Sequence, residues 1–299
     1  MRLLLLSYFL LLFAFTGSAQ NFRFNEFGIE DGMAQNFIYS MDQDDHGYLW
    51  IGTGEGLCSY DGQNFKTYTT KEGLAEDVVT STFIGPDDIL WVGHNSGEIS
   101  RLKNGKIAKF GDHEIVISTI NGLSVLQDEM YFISQNEGVF ELVSGKYKRV
   151  GKFGASRFYA IQHIDKSNVV IGTDKGIIHI AKSNDKWVKR KSILEDKQIS
   201  AITQGRQNRH LFATSNDGVL CQLKFANGKI LAREWEGDYL KDTEIRSIIQ
   251  DDQLNIWLGT TRKGLIKIPI NDIEGDGQEV IYYNSKKGLN LDVIQKNFQ

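Results

Sequence analysis

The sequence predicts an all-β fold, a β-propeller of four-stranded blades with six repeats plus the start of a seventh in an incomplete seven-bladed ring. The repeating pattern is an apolar strand, a small residue and a glycine-containing turn, clearest at 49–57. Aligned on the residue at the position of Gly52, the copies lie at 52, 93, 134, 172, 213 and 259. The resulting steps of 41, 41, 38, 41 and 46 residues are typical of propeller blades.

Each repeat divides into four short strands. In the first repeat we predict strands at 37–41, 48–52, 56–60 and 65–68, joined by turns that contain Asp and Gly. The six blades are then predicted at residues 33–69, 74–111, 114–150, 157–190, 198–236 and 243–284.

Tryptophan and glycine recur at fixed positions in these repeats. Trp50, Trp91 and Trp257 lie in second strands, where each large ring is expected to fill the space between two blades. The glycine two residues later lets the neighbouring backbone approach closely. A further glycine occurs in all six repeats and indicates a backbone conformation that glycine adopts at least cost, at 56, 97, 138, 176, 218 and 264.

The two ends of the chain predict that the ring is incomplete. Phe65, the first residue of the outer strand at 65–68, lies eight residues before Gly73, and Phe24 lies eight residues before Gly32. We therefore predict that residues 21–27 form an outer strand without a blade of its own. Propellers often close by lending such a strand to the last blade. Residues 289–299 then start a seventh inner strand. We therefore expect the chain to be the N-terminal fragment of a longer seven-bladed protein.

Residues 1–19 are predicted to be a cleaved signal peptide ahead of a propeller domain at 20–299. A positive start is followed by an apolar run at 3–15 and a small-residue cleavage site at 17–19. The run is too short to span a membrane comfortably, and no other stretch could do so. We therefore expect a periplasmic protein with no membrane span in this chain. The net charge of −4 argues against a nucleic-acid partner.

The sequence predicts no catalytic residue, no metal site and no cofactor. The six histidines are not spaced as metal ligands. Residues 42–47 resemble a calcium loop but lack the glutamate that would complete it, so we interpret them as a polar turn. No phosphate loop, dinucleotide fingerprint or nucleophile elbow is visible. Cys58 and Cys221 belong to well-separated repeats, so we expect two buried free thiols.

Residues 31–36, 43–57 and 60–65 form a motif that returns around Gly73 and in the sixth repeat. In this motif the sequence resembles the two-component regulator propeller family of bacterial exported sensors. The resemblance implies the periplasmic input domain of a membrane-spanning sensor, commonly a hybrid histidine kinase, which could act as a homodimer. It also implies an immunoglobulin-like domain, a transmembrane helix and cytoplasmic signalling domains in a longer protein. No phospho-acceptor helix or nucleotide-binding box occurs in the 299 residues, so we expect no kinase activity from them.

The candidate ligand site is the propeller face formed by the loops before the inner strands and the turns after the second strands. Polar groups at the mouth of a channel can hold a sugar or a peptide through directional hydrogen bonds. Loops on a rigid scaffold also often carry function. The residues predicted to bind ligand are Gln35, Asn36, Glu55, Asp77, His94, Asn95, Asn136, Asp174, Lys175, Arg262 and Lys263.

Together these observations predict an exported, non-catalytic sensory propeller that binds an extracytoplasmic small molecule, for example an oligosaccharide, or a protein partner. Two alternatives stay open. An exported propeller enzyme, a lyase or a glycoside hydrolase, would need carboxylates or histidines that converge near the central channel. A protein-interaction scaffold would show a large exposed apolar patch on one face.

Overall fold

The computed structural model describes residues 24–85, 88–111, 116–126, 129–207, 210–235, 237, 239–269, 280–290 and 294. These residues form an all-β, six-bladed propeller with four-stranded blades, which confirms the predicted fold class at that level. The predicted signal peptide at 1–19 lies outside the described residues. The described residues contain no seventh blade, and most of its predicted first strand at 289–299 lies outside them. Nor do the described residues 24–28 form the outer strand predicted at 21–27. Within the described part of the chain, no helix has the length and apolar character needed to cross a bilayer.

In every blade the four strands are antiparallel neighbours in sequence order, and the first strand lies next to the channel. Blade 1 consists of β1 (Ile38–Gln43), β2 (Leu49–Thr53), β3 (Gly56–Tyr60) and β4 (Phe65–Tyr68). Blade 2 consists of β5 (Val79–Ile84), β6 (Leu90–His94), β7 (Ile99–Lys103) and β8 (Lys106–Lys109). Blade 3 consists of β9 (Ile120–Leu126), β10 (Glu129–Ser134), β11 (Gly138–Val143) and β12 (Lys146–Gly151).

The later blades have the same order with longer strands in blades 4 and 5. Blade 4 consists of β13 (Phe158–Asp165), β14 (Asn168–Thr173), β15 (Gly176–Ser183) and β16 (Lys186–Ile193). Blade 5 consists of β17 (Ile199–Gln204), β18 (His210–Ser215), β19 (Leu220–Ala226) and β20 (Lys229–Trp235). Blade 6 consists of β21 (Ile245–Gln250), β22 (Ile256–Thr260), β23 (Leu265–Ile268) and β24 (Ile281–Tyr283).

The strand pairing corrects the predicted alignment of two repeats by one residue. Gly52 pairs with the third residue of its inner strand, Ser40. The residues that pair in the same way are Ile133 in blade 3 and Thr214 in blade 5, whereas 134 and 213 were expected. The turn between the second and third strands is one residue longer in blade 3 than in blade 1. In blade 5, Ala213 is small like Gly52, so the sequence alignment placed it at the position of Gly52.

Apolar side chains fill the seams between consecutive blades. Trp50 packs with Val79 and Val92 of blade 2, and Trp91 packs with Ile120 and Phe132 of blade 3. Both indole rings are buried, as predicted from their recurrence. Trp257 is half-buried instead and stacks on the outer strand of its own blade. The reason is that no blade follows blade 6 among the described residues.

The glycine shared by all six repeats has a positive φ in every blade, between 71° and 142°. A Cβ added at this glycine would also lie within 2.7 Å of a backbone carbonyl oxygen in every blade. A Cβ built on Gly176 would lie 2.5 Å from the carbonyl oxygens of both Ile193 and Leu194. The position therefore excludes side chains for two reasons, the left-handed backbone and the close carbonyl.

Gly176→Ala is expected to lower the free energy of unfolding by roughly 2–3 kcal/mol, because alanine adds both strain and a clash. Gly145→Ala is the matched control, since Gly145 has a φ of 79° but nothing within 4 Å of its would-be Cβ. The control should cost about 1 kcal/mol. Urea unfolding of both variants measures the difference, and equal losses would contradict a role for the carbonyls.

Both cysteines are buried free thiols, as predicted. The Cys58 sulfur accepts a hydrogen bond from the backbone N–H of Ala34 at 3.2 Å. That contact ties the segment before blade 1 to the third strand of the blade.

Candidate functional site

A central channel lies between the inner strands, and all six of them line a cavity of about 160 Å³. Each inner strand contains a β-bulge at its second residue. A bulge leaves one residue unpaired and re-aims its side chain. The six bulge residues are Tyr39, Thr80, Asn121, Tyr159, Ser200 and Arg246.

Bulge side chains fasten blades 2 and 3 to the blades that follow them. Thr80 Oγ1 donates to the carbonyl oxygen of Ile120 at 2.9 Å, and Asn121 Nδ2 donates to that of Phe158 at 2.8 Å. Both acceptors are the first residue of the next inner strand. The bulge residues of blades 2 to 5 line the cavity, whereas those of blades 1 and 6 do not.

The cavity wall carries one carboxylate among its described residues, that of Asp42. Its Oδ2 accepts a hydrogen bond from Thr82 Oγ1 of the next blade. Glycoside hydrolysis needs two carboxyl groups that face each other across the bond to be broken. The described wall supplies hydroxyl and amide groups instead, which suit hydrogen bonding to a ligand.

Gln35 and Asn36 lie on the predicted face but are used to hold loops. Gln35 Oε1 accepts from the backbone N–H of Gly54 at 3.1 Å. Asn36 Oδ1 accepts from that of Ile29 at 3.0 Å. Both side chains therefore hold the segment before blade 1 in place.

Asp77 and Asp174 also bind backbone. Asp77 Oδ1 accepts from the N–H of Thr70 at 2.7 Å, and Asp174 Oδ1 accepts from the N–H groups of Ser156 and Arg157 at 3.0 and 3.1 Å. Each carboxylate thereby fixes the segment that leads into a blade.

His94 is the most deeply buried of the predicted site residues. Its side chain is fully buried. Nδ1 lies 3.2 Å from the Val78 carbonyl oxygen and Nε2 lies 2.8 Å from Ser100 Oγ. Burial lowers the pKa of His94, so the ring stays neutral at pH 7. We interpret His94 as a packing residue of blade 2.

Asn95 and Asn136 are exposed on the turns of blades 2 and 3. Asn95 Oδ1 accepts from Thr119 Oγ1 of the next blade at 2.9 Å. The backbone N–H of Asn136 donates to Ser118 Oγ at 3.2 Å, which holds the turn while its side chain points outward.

The charged turn residues differ in the hydrogen bonds that their side chains make within the protein. Lys263 Nζ donates to the carbonyl oxygens of Tyr239 and Lys241, at 3.2 and 2.7 Å. Lys175 is exposed and its Nζ makes one longer bond, to a carbonyl oxygen at 3.3 Å. Two further predicted residues, Glu55 and Arg262, are exposed at the tips of the turns in blades 1 and 6.

Two polar clusters on this face were not predicted. In blade 3, Glu137 accepts hydrogen bonds from the hydroxyls of Ser118 and Ser134. In blade 5, Lys197 pairs with Asp217. Glu137 shares its turn with the predicted Asn136, and Asp217 lies in the equivalent turn of blade 5, so the repeat alignment could have found them.

Charged side chains of both signs are spread over this face. The carboxylates of blades 2 and 3 mostly accept bonds from protein donors, as Glu76 does from the N–H of Ser96 at 2.8 Å. On the described turns that follow the second strands, the exposed basic residues are Lys175 of blade 4 and Arg262 of blade 6, where anionic groups of a ligand would meet them.

On the opposite face, a polar turn was predicted at 42–47; the structure begins the turn at Asp44, whereas Asp42 and Gln43 end strand β1. Asp44 Oδ1 accepts from the N–H groups of His46 and Tyr48, and Oδ2 accepts from Trp50 Nε1 at 2.8 Å. His46 and Asp88 lie close enough to share a cation with Asp44. Because the Asp44 oxygens already accept these three bonds, we assign the cluster a structural role.

Residues 32–55 match the family model described as two component regulator propeller. The match includes residues 32–36 and 43–55, part of the motif on which the sequence resemblance was based, so the resemblance is confirmed. A curated relative, histidine kinase P4 of Formosa agariphila, is 44% identical over 48 residues, which are 16% of this chain and 4% of the relative.

Solved propellers share the fold. The extracellular domain of a hybrid two component system from B. thetaiotaomicron superposes with a TM-score of 0.70 at 14% identity, over 91% of this chain and 38% of that chain. Virginiamycin B lyase from Staphylococcus aureus superposes with a TM-score of 0.63 at 15% identity, over 85% of each chain. At these identities the superpositions describe the architecture. The chain also spans well under half the length of the first structure and of the curated relative.

Proposed function

The chain carries a repeat of the two component regulator propeller family, and from this premise we propose that it is the ligand-sensing input domain of a two-component sensor. The proposed domain lies outside the cytoplasm, is not catalytic, and reaches its compartment through the signal peptide predicted at 1–19. The observation that carries the proposal is the family repeat set in a propeller whose described channel wall has a single carboxylate.

We also propose that the chain is the N-terminal part of a longer sensor, which continues into a membrane-spanning segment and a kinase. The small fraction of the sensor-related proteins that it spans supports this proposal. In the complete protein, ligand binding would change how two subunits pack together and so pass the signal inward.

The proposed ligand is a small molecule, such as an oligosaccharide or a peptide, held at the loop face. The exposed turn residues would contact it directly, whereas Asp77 and Asp174 would keep the loops in place. The exposed cations Lys175 and Arg262, on the turns of blades 4 and 6, favour ligands with carboxylate groups. A protein partner with an acidic surface is the second kind of ligand that this face could accept.

Isothermal titration of the chain with a panel of neutral and acidic oligosaccharides and acidic peptides tests the proposal. We expect saturable binding of an acidic member, weakened about tenfold by Lys175→Ala or Arg262→Ala because each removes a charge-assisted hydrogen bond. Lys103→Ala is the control, since Lys103 is an exposed cation at the opposite end of its blade. Heat-silent titrations across the panel, or equal losses in all three variants, would contradict the proposed site.

A further inference from the structure

The outer strands of the six blades carry charge of almost one sign. In β4, β8, β12, β16, β20 and β24, twelve residues are lysine or arginine and one, Glu234, is acidic. The whole chain, by contrast, has a net charge of −4. Charged residues on an edge strand prevent it from pairing with another sheet, but acidic residues would do this as well. The excess of basic residues therefore indicates that this outer rim faces an anionic partner.

The rim is most basic on β16, where three basic residues follow one another. Lys191 pairs with His179, and Lys189 pairs with the next residue of β15. Arg190, which lies between them, is the extra residue of a β-bulge. Neighbouring side chains of a regular strand point to opposite sides of the sheet, but a bulge sets two residues against one. Arg190 and Lys191 accordingly line one cavity, between blades 4 and 5, whereas Lys189 lines another, between blades 3 and 4.

The cavity between blades 4 and 5 lies at this rim and has a volume of about 600 Å³. Blade 5 contributes residues 228–231, among which Lys229 is a third exposed cation and Leu231 is 59% exposed. The described residues of the wall include no carboxylate. A concave surface lined by charge of one sign raises the local concentration of ions of the opposite sign. The cavity is therefore suited to an anionic ligand.

The three cations of this cavity are available to a ligand. Lys191 Nζ donates one long hydrogen bond, to the carbonyl oxygen of Ile230 at 3.4 Å, and an ammonium group has two further protons to donate. Within the described part of the chain, none of the three forms an ion pair with a carboxylate. The Arg190 guanidinium can therefore bind a carboxylate of a ligand through two parallel hydrogen bonds.

The wall behind the cations consists of aliphatic groups and of polar groups that bond to one another. His179 is buried, its Nε2 lies 2.9 Å from Asn168 Oδ1, and Asn168 Nδ2 donates to Asp165 Oδ1 at 2.8 Å. Ala181 and Ile230 are buried and apolar. The cavity thus combines an aliphatic wall with exposed cations, which suits a ligand that carries an apolar group between carboxylates.

An extended protein segment fits these features better than a bilayer or a polysaccharide. The basic residues of the rim lie on five blades that face different directions, and a flat bilayer surface cannot enter a cavity between two of them. A sugar chain would set hydroxyl groups against the exposed Leu231, whereas an apolar side chain of a peptide would remove it from water. The carboxylates of the same peptide would reach the cations on either side of the cavity.

We propose that the cavity between blades 4 and 5 binds an acidic, extended segment of a partner protein. Carboxylates of the segment pair with Arg190, Lys191 and Lys229, and an apolar side chain beside them covers Leu231. The site lies on the outer strands of the propeller, apart from the turns of the loop face. It is therefore additional to the ligand site of the proposed function and does not depend on it.

A short synthetic peptide tests this proposal. In the fluorescently labelled probe, one leucine is flanked by two glutamates on each side, and both peptide ends are blocked. We expect fluorescence polarisation to show saturable binding that weakens at least tenfold between about 50 and 300 mM salt, because screening weakens the charge pairs. Arg190→Gln and Lys191→Gln should each weaken binding about fivefold, since each removes a charge-assisted hydrogen bond. Leu231→Ser should weaken it about threefold through lost apolar contact.

Lys189→Gln is the matched control, because it removes the same charge from the adjacent residue, which lines the other cavity. Its affinity for the probe should stay within about twofold of the wild type. Equal losses for Lys189→Gln and Arg190→Gln, or no saturable binding, would overturn the proposal. So would a probe with serine in place of leucine that binds equally well, or tighter binding of phosphatidylglycerol vesicles or dextran sulfate. None of these outcomes bears on the loop face, whose test depends on Lys175 and Arg262.

Discussion

Replacing Trp91 with alanine is expected to lower the free energy of unfolding by about 3–5 kcal/mol. The indole is buried and packs with Ile120 and Phe132 of blade 3. Phe110 lies edge-on to it at 5.1 Å, and the Arg101 guanidinium lies 5.9 Å from its ring centre. Truncation to alanine would leave a cavity between blades 2 and 3, because two rigid sheets cannot move together to fill it.

Trp257→Ala is the matched comparison for this prediction. Trp257 occupies the same strand position, but it is half-buried and stacks on Tyr283 at 5.4 Å rather than filling a seam between two blades. We expect a loss of about half the Trp91 value, because less apolar surface returns to water. Urea unfolding monitored by circular dichroism measures both. Equal losses would show that the seam between blades 2 and 3 adds nothing to the stability of its tryptophan.

Lowering the pH from 7 to 4 is expected to destabilise the protein by about 3 kcal/mol through His163 alone. The ring is buried between blades 3 and 4, where Nδ1 lies 2.5 Å from Ser124 Oγ and Nε2 has no hydrogen-bond partner among the described residues. Burial lowers its pKa to about 4, although the negative charges of Asp165 and Glu129 act in the opposite direction. The unfolded chain has a histidine pKa of about 6.5.

The direction of this pH effect follows from the two pKa values. Between pH 6.5 and 4 the unfolded chain binds a proton that the folded protein does not, so the stabilisation is complete above pH 6.5 and is lost as the pH falls towards 4. His163→Gln removes this titration, so stability of the wild type relative to the variant should fall across that window. His46→Gln changes an exposed ring and is the control. Parallel pH profiles for wild type and His163→Gln would contradict the prediction.

The architecture could be predicted from the sequence because the positions with the strictest backbone requirements recur at the same place in every repeat. The glycine before the third strand needs a positive φ in every blade, and a requirement repeated six times is visible without coordinates. The registers of blades 3 and 5 could not be predicted to the residue. Ser134 and Ala213 are both small, and only pairing with the inner strand shows that Ile133 and Thr214 hold the position of Gly52.

The candidate face was predictable as a region but not residue by residue. Asp77, Asp174 and Lys175 look alike in sequence as polar turn residues. Whether such a side chain is available to a ligand depends on a backbone donor in another loop, as with the N–H groups that face Asp174 from 18 and 17 residues away. His94 was misleading because it replaces the buried Thr53 of the first repeat, and its ring enters the sheet rather than the solvent.

The bulge at the second residue of each inner strand separates two roles of the strand: the flanking residues keep its register, and the bulge residue presents a variable side chain. The residues before it are apolar in all six blades, and those after it are small: Ser40, Ser81, Gly122, Ala160, Ala201 and Ser247. The bulge residue itself varies freely between tyrosine, threonine, asparagine, serine and arginine. Substitutions at Tyr159 and Ser200, two bulge residues that line the cavity, can therefore change the chemistry of the pore without changing strand registration, which makes this scaffold a suitable starting point for evolving new specificities.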